Sequence, residues 1–163
     1  MILPVYAQLV KNYLGEGYST QQVRQLIGGA ANNPRFANTC VLRMSRAFNY
    51  AGAQARIPGS KAGLYTVSGA DGLNYALRVA EFREYMLHKY GNPQKTSVLK
   101  DKKLDKTKFI GVAGVICFDV SGWGDATGHF SLWDGSNCSY CGDHEYFNMV
   151  EGVRTNRISL WTC

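Results

Sequence analysis

Apolar residues recur at helical spacing in the first part of the chain, where they predict amphipathic helices. Within residues 38–52 the apolar positions that share one helical face are Val41, Met44, Ala47, Phe48 and Ala51. Helices are also predicted over residues 4–14, over 19–27 with Ser19 as the N-cap, and over 74–90.

Short apolar runs bounded by turn residues replace this spacing in the last third of the chain. Residues 114–120 are a continuous apolar run, which is typical of a buried strand. Residues 128–135 alternate and end in Asp-Gly, so they predict a strand that leads into a tight turn. We also expect a short strand near 64–67, a charged loop after residue 93 and a last strand at 158–161. Helices followed by antiparallel strands predict an α+β fold with the N-terminal helices packed on the sheet.

The size and charge of the chain narrow the classes of partner. Its 163 residues predict a single domain over 1–163. The net charge of +6 favours an anionic partner, such as nucleic acid, an anionic membrane surface or an acidic cell-wall polymer, although it also serves solubility alone. Aspartates interrupt the densest basic run, residues 100–106, which favours a solvated loop over a nucleic-acid contact.

Neither a leader nor a membrane span is predicted. Residues 1–17 lack a basic start, a sustained apolar core and a small-residue cleavage site. No apolar run approaches the roughly 20 residues that a membrane span needs. We therefore expect synthesis in the cytoplasm and, if the protein is exported, a route that removes no leader.

Cys40 is the first candidate for chemistry, because it follows two good N-capping residues at the start of a predicted helix. The helix dipole and the free N–H groups at that end stabilise an anion, so the pKa of a thiol there is expected to fall. The alternative is that Cys40 only fills the core, as most cysteines in amphipathic helices do.

His129 is the candidate base that a nucleophilic cysteine requires. It follows Gly128 at the start of a predicted strand, whereas His88 lies late in a polar helix. A cysteine at a helix start followed along the chain by a histidine on a sheet is the papain-like arrangement. Its third member should be a polar acceptor for the far imidazole nitrogen, for which the candidates are Asp143, Asp134 and Asp125. The alternative is a structural histidine.

The other cysteines and aromatic residues have several interpretations. Cys138 and Cys141 form a CxxC motif that suits a redox pair, half a zinc site or a small disulfide, and the absence of a second CxxC leaves a metal site incomplete. Cys117 lies in an apolar run and is expected to be inert core. Trp123 either packs in the interior or lines a groove.

Several motifs together resemble the type VI secretion amidase effector family 4, bacterial cell-wall hydrolases with an NlpC/P60-like, papain-like fold. They are NTCVLRMS at 38–45, GADGLNY at 69–75, GVI at 114–116, WGDATGH at 123–129 and LWDG at 132–135. The resemblance runs from Ile27 to the C-terminus.

The resemblance implies an amidase that cleaves the bond between D-glutamate and meso-diaminopimelate in peptidoglycan stem peptides. Cys40 matches the nucleophile of the family and His129 its base, with no metal or cofactor required. The family places its aspartate directly after a Cys-Ser pair, so Asp143 is the matching acid if residues 140–142 are an insertion. A Cys138–Cys141 disulfide is also implied.

The resemblance further implies delivery by the type VI secretion machinery into the periplasm of a rival cell, and a cognate immunity protein that plugs the cleft. Trp123 is expected to line the substrate groove, and Arg43 to bind stem-peptide carboxylates, unless it is simply solvated.

Two other functions remain open from the sequence. A papain-like protease or transamidase acting on protein would use the same Cys40 and His129. A basic binding module without activity is disfavoured, because the basic residues do not cluster with aromatic ones.

Overall fold

Four α-helices lie within residues 1–90 of the computed structural model, which describes residues 1–61 and 63–163. They are α1 (Tyr6–Asn12), α2 (Thr20–Ile27), α3 (Cys40–Tyr50) and α4 (Val79–Tyr90). Ser19 caps α2 as predicted, since its hydroxyl accepts from the Gln22 N–H and the Gln22 side chain accepts from the Ser19 N–H.

The strands form a small hairpin and a larger sheet. The hairpin pairs β1 (Thr66–Ser68) with β2 (Asn74–Ala76). The larger sheet contains β3 (Lys95–Val98), β4 (Gly114–Ser121), β5 (Gly128–Trp133), β6 (Val150–Glu151) and β7 (Val153–Thr162). Its order is β3-β7-β4-β5, with β6 paired to β7, and its pairs are antiparallel. The predicted α+β class is confirmed.

Both faces of the larger sheet are buried, which explains the uninterrupted apolar run of β4. Val115 and Cys117 face α1, α3 and α4, in one cluster with Phe130 of β5. Ile116 and Phe118 face the opposite side, where residues before β4 and after β5 cover them. The sheet therefore forms a middle layer, with α3 packed directly on β5.

The predicted helix over 74–90 begins later than expected, at Val79. Residues 74–76 form β2 instead, because side chains of α3 bind their backbone groups. Asn49 Nδ2 donates to the Asn74 carbonyl at 2.8 Å, and the Ala76 N–H donates to Ser45 Oγ at 3.0 Å. These long-range bonds outweigh a local apolar pattern that suits a helix equally well.

Strand β3 lies where a charged loop was expected. Only Ser97 among its four residues is buried, so the strand has almost no apolar signal. It is an edge strand that pairs with β7 alone, and polar, lysine-bearing edges are a common protection against unwanted pairing. No helix among the described residues is both long and apolar enough to cross a membrane.

Arg43 lies inside the protein, contrary to the expectation of a solvated or substrate-facing arginine. Its side chain extends from α3 into the α1–α2 loop (residues 13–19) and is fully buried. The guanidinium donates to four oxygens: Leu14 O at 2.6 Å, Gly15 O at 2.7 Å, Tyr18 O at 2.7 Å and Thr39 Oγ1 at 3.2 Å. Arg43 therefore holds the α1–α2 loop against the start of α3.

Replacing Arg43 is expected to destabilise the fold strongly. Arg43→Met keeps an apolar side chain in the place of the buried arginine methylenes and leaves the loop carbonyls without a donor. Each buried carbonyl that loses its hydrogen bond costs about 1–3 kcal/mol of folding free energy. We expect a loss of about 3 kcal/mol or more in the free energy of unfolding, measured by urea denaturation. The matched control, Arg35→Met, removes an exposed guanidinium and should change stability by less than about 0.5 kcal/mol. Equal stability of the two variants would contradict this role.

Candidate active site

Cys40 is the first residue of α3, as the sequence predicts, with Thr39 as the N-cap. Its N–H donates to Asn38 Oδ1 at 3.0 Å, so the side chain of Asn38 closes the helix start. Cys40 is only 1% exposed. The nucleophile candidate therefore lies just inside the protein rather than on its surface.

The thiol of Cys40 does not have the lowered pKa that its helix position predicted. Burial raises the pKa of Cys40 to about 11, although hydrogen bonds from the N–H groups of Phe130 and Val41 act in the opposite direction. The loss of solvation therefore raises the thiol pKa more than the N-terminus of α3 lowers it. Cys40 is a neutral thiol near neutral pH.

His129 lies near the start of β5 and is 5% exposed. Its ring stacks on Tyr146, with centroids 4.9 Å apart and planes 13° from parallel. Burial lowers the pKa of His129 to about 4, although the hydrogen bond with the Tyr140 carbonyl raises it. The ring is therefore neutral near neutral pH and available to accept a proton.

The fold brings Cys40 and His129 to the same place. Cys40 packs in one buried cluster with Phe130, the residue that follows His129 on β5, and the Phe130 N–H acts to lower the pKa of the thiol. Gly128 contributes to this packing because a side chain there would collide with the backbone of Phe118 on β4. Among the described residues, no hydrogen bond joins the Cys40 sulfur to the imidazole, and burial favours the neutral form of both groups.

The far nitrogen of His129 is bound to a main-chain oxygen. Nε2 lies 2.6 Å from the carbonyl oxygen of Tyr140. None of the three candidate aspartates makes a hydrogen bond to His129 within the described part of the chain. Asp134 instead accepts from the N–H groups of residues 136 and 137 in the turn after β5. Asp143 and Asp125 are exposed, and the catalytic role expected of Asp143 remains a prediction.

Two adjoining cavities open beside His129. The first, about 450 Å³, is lined by His129, Tyr140, Asp143 and Tyr146 among others. The second, about 480 Å³, lies along the start of α4. Their shared wall is formed by Asn38, Trp123, Asp125 and Ala126. Trp123 therefore lies on the wall that both cavities share, and the substrate contact expected of it remains a prediction.

The CxxC motif forms the Cys138–Cys141 disulfide that the resemblance implied. Cys117 is a buried thiol whose pKa burial raises well above the ordinary value, in keeping with the core role expected of it. Cys163 is an exposed free thiol. Among residues 1–61 and 63–163, no group of three or more His, Cys, Asp or Glu side chains is arranged to hold a metal ion.

Several groups at this site had little or no signal in the sequence. The Tyr140 carbonyl had no sequence signal, because every residue has a main-chain carbonyl group. Tyr146 had a partial signal in the Tyr-Phe pair near the end of the matching motifs. Glu16 lies far from these motifs along the chain, yet its carboxylate accepts from the N–H groups of Cys141 and Gly142 at 2.9 and 3.0 Å.

Solved structures of one group of bacterial effectors are similar to this chain over nearly its full length. The effector Tae4 from Salmonella typhimurium, crystallised with the immunity protein Tai4 from Enterobacter cloacae, is 28% identical, with 98% of this chain and 99% of that chain covered and a TM-score of 0.82. A chain of the type VI effector–immunity complex Tae4–Tai4 from Enterobacter cloacae is 26% identical, with 99% of each chain covered and the same TM-score of 0.82.

The type VI effector Tae4 from Enterobacter cloacae, in a further crystal structure, is 27% identical, with 99% of this chain and 97% of that chain covered and a TM-score of 0.82. No curated protein sequence matches the chain. The sequence profile of the type VI secretion system (T6SS) amidase effector protein 4 family matches residues 36–161, which include Cys40, His129 and the disulfide. The resemblance seen in the motifs is thereby confirmed, and the chain belongs to the T6SS amidase effector protein 4 family.

Proposed function

We propose that this chain is a cysteine amidase that hydrolyses the D-glutamyl–meso-diaminopimelate bond of peptidoglycan stem peptides. The observation that carries the proposal is that α3, which begins at Cys40, packs on β5, where Phe130 clusters with Cys40 and the preceding residue, His129, lines an open cavity. A thiol and an imidazole in this relation suit acyl transfer through a covalent intermediate. Membership of an amidase effector family supports the same reaction class.

The first step follows from the protonation states of the two groups. Because Cys40 is a neutral thiol and His129 a neutral imidazole, the thiol proton moves to the imidazole as the sulfur attacks the amide carbon. An S–C bond forms, and the carbonyl electron pair moves onto oxygen. The Cys40 N–H, which donates to Asn38 Oδ1 in the free protein, then donates to that oxyanion together with a second donor.

The remaining steps return the site to its starting state. The imidazolium of His129 gives its proton to the leaving amine as the C–N bond breaks, which leaves a thioester on Cys40. His129 then takes a proton from water as the water oxygen attacks the thioester carbon. Cys40 departs and recovers a proton from the imidazolium. No step uses a metal or an organic cofactor.

The surroundings of the two residues suit an extended peptide. A stem peptide that lies across both cavities would pass His129 in the first cavity and the indole of Trp123 at the shared wall. Arg43, considered earlier for the peptide carboxylates, has its donors bound inside the fold and is not part of this proposal. The net charge of +6 favours approach to an anionic wall.

The proposed partners follow from the family. We infer that the type VI machinery delivers the protein, that it acts in the periplasm of the recipient cell, and that the producing cell holds a cognate immunity protein. The immunity protein Tai4 in the related crystal structures supports this inference.

Digestion of purified peptidoglycan tests the activity directly. We expect the parent protein to release fragments that begin at diaminopimelate, identified by mass spectrometry. Cys40→Ala should lose at least about 10⁴-fold in rate, because it lacks the nucleophile. The matched control is Cys163→Ala, which removes an exposed thiol and should cleave as the parent does. Equal cleavage by parent and Cys40→Ala would refute the nucleophile, and digestion of casein but not of peptidoglycan would favour the protease alternative.

The protonation state of Cys40 is a second prediction. A folded pKa of about 11 means that half of the Cys40 thiol is ionised only near that pH and that almost none is ionised near neutral pH. We expect the ultraviolet difference spectrum between the parent and Cys40→Ser to lack thiolate absorbance until the pH approaches about 11. Thiolate absorbance at neutral pH would instead indicate a preformed ion pair with His129.

A further inference from the structure

The hydrogen bond between His129 and Tyr140 determines where the imidazole holds its proton. A carbonyl oxygen can only accept, so the Nε2 atom that lies 2.6 Å from it must carry a hydrogen. A neutral imidazole has one N–H, which leaves Nδ1 with a free electron pair. His129 needs this tautomer to act as the base for Cys40, because only a ring nitrogen without a hydrogen can accept the thiol proton.

We propose that the main-chain carbonyl of Tyr140, and not an aspartate side chain, is the acceptor that orients His129 and fixes its tautomer. The proposal rests on the proposed function, in which His129 is the base. It assigns Tyr140 and the groups that hold it as positioning residues. The carbonyl needs rigid support, because a backbone oxygen in a loop has no packing of its own.

Strand β5 supports one side of the carbonyl. The Tyr140 N–H donates to Ser131 Oγ at 3.0 Å, and the Ser139 N–H donates to the Leu132 carbonyl at 2.8 Å. Residues 139 and 140 thus run beside the strand that carries His129. The Cys138–Cys141 disulfide closes this segment on itself.

The helix of Cys40 supports the other side. The guanidinium of Arg43 lies over the Tyr140 ring, with its central carbon 3.6 Å from the ring centroid. A cation at this distance from an aromatic face is attracted to it, most strongly where water is excluded. Since Arg43 is three residues after Cys40, the nucleophile helix and the acceptor of the base are joined through one side chain.

The α1–α2 loop completes the support. The Glu16 carboxylate accepts from the N–H groups of Cys141 and Gly142, and the Glu16 N–H donates to the Ser139 carbonyl at 3.2 Å. Gly15 permits this approach, since a Cβ there would lie 2.9 Å from the Ser139 oxygen. Glu16 is exposed and lines neither of the two cavities beside His129. Besides its hydrogen bonds to the segment around Tyr140, its negative charge acts on the imidazole directly and raises the pKa of His129.

The test reads the imidazole directly, by heteronuclear NMR of protein labelled in its histidine side chains. We expect neutral His129 to carry its proton on Nε2. His88 is an internal reference, because its Nδ1 lies 2.7 Å from the Glu84 carbonyl and the same reasoning places its proton on Nδ1. Glu16→Ala should displace the His129 Nε2–H resonance and mix the tautomers, as the carbonyl loses its support, whereas loss of the Glu16 charge alone would lower the imidazole pKa and leave the neutral ring with its proton on Nε2. Asp143→Asn should leave that resonance where it is.

The matched control is Glu145→Ala, which removes an exposed carboxylate from the same loop and should not move the resonance. A proton on Nδ1 of His129, a resonance that responds to Asp143→Asn, or one that responds to neither Glu16→Ala nor Asp143→Asn would overturn the proposal. Equal thermal stability of the Glu16 and Glu145 variants would show that the NMR change is local.

Kinetics then connect the geometry to catalysis. We expect Glu16→Ala to lower kcat on the order of 10-fold to 100-fold with KM within about twofold, because a displaced base slows the chemical step without changing substrate contacts. Unchanged kcat would overturn the positioning role. If the parent itself does not cleave peptidoglycan, the proposed function fails, and the NMR result alone decides which group holds His129.

Discussion

The burial of the Arg43 guanidinium is the constraint on which the geometry of the site depends. A buried cation is stable only when its donors are satisfied, and here the acceptors come from the α1–α2 loop, from Thr39 and from the face of Tyr140. These groups are distant in sequence. The contacts of this one guanidinium therefore hold the N-terminal segment, the start of α3 and the segment after β5 together. Cys40 and His129 lie between the parts that are joined in this way.

The same burial sets the chemistry of the site. A thiol and an imidazole that are both shielded from water avoid charge, which is why the pKa of Cys40 rises and that of His129 falls. In the free protein the proton is therefore on sulfur, and in the proposed reaction it leaves the sulfur as the bond to carbon forms. An uncharged acceptor for the far nitrogen fits this environment, because a carboxylate in the same position would itself need solvation.

The sequence allowed the fold class, the four helices and the three main strands to be predicted, because their apolar spacing reflects burial on one face or two. It did not reveal the strand at 95–98, whose residues pair through the backbone and bury only Ser97. The strand at 74–76 was also missed, since Ser45 and Asn49 determine it from another element.

The candidate site likewise contains groups that the sequence reveals and groups that it does not. Cys40 and His129 were recognisable because their chemistry depends on side-chain identity and on position within an element. The direction of the pKa change at Cys40 could not be predicted, because it depends on the depth of burial. The position of the Arg43 side chain could not be predicted either, because most of its partners are carbonyl groups. The Tyr140 carbonyl belongs to the backbone, and its position depends on how a loop closes.

The α1–α2 loop also has a consequence for where this protein begins as a folding unit. The family profile matches residues 36–161, whereas Glu16 and the carbonyls that Arg43 binds lie before that stretch. A fragment trimmed to the matched stretch would keep the thiol, the imidazole, the disulfide and most of the sheet. It would nevertheless lack the carbonyl groups that bind the Arg43 guanidinium and the Glu16 side chain that binds residues 141 and 142. The stretch that the family profile matches and the stretch that the folded site requires are therefore different parts of this chain.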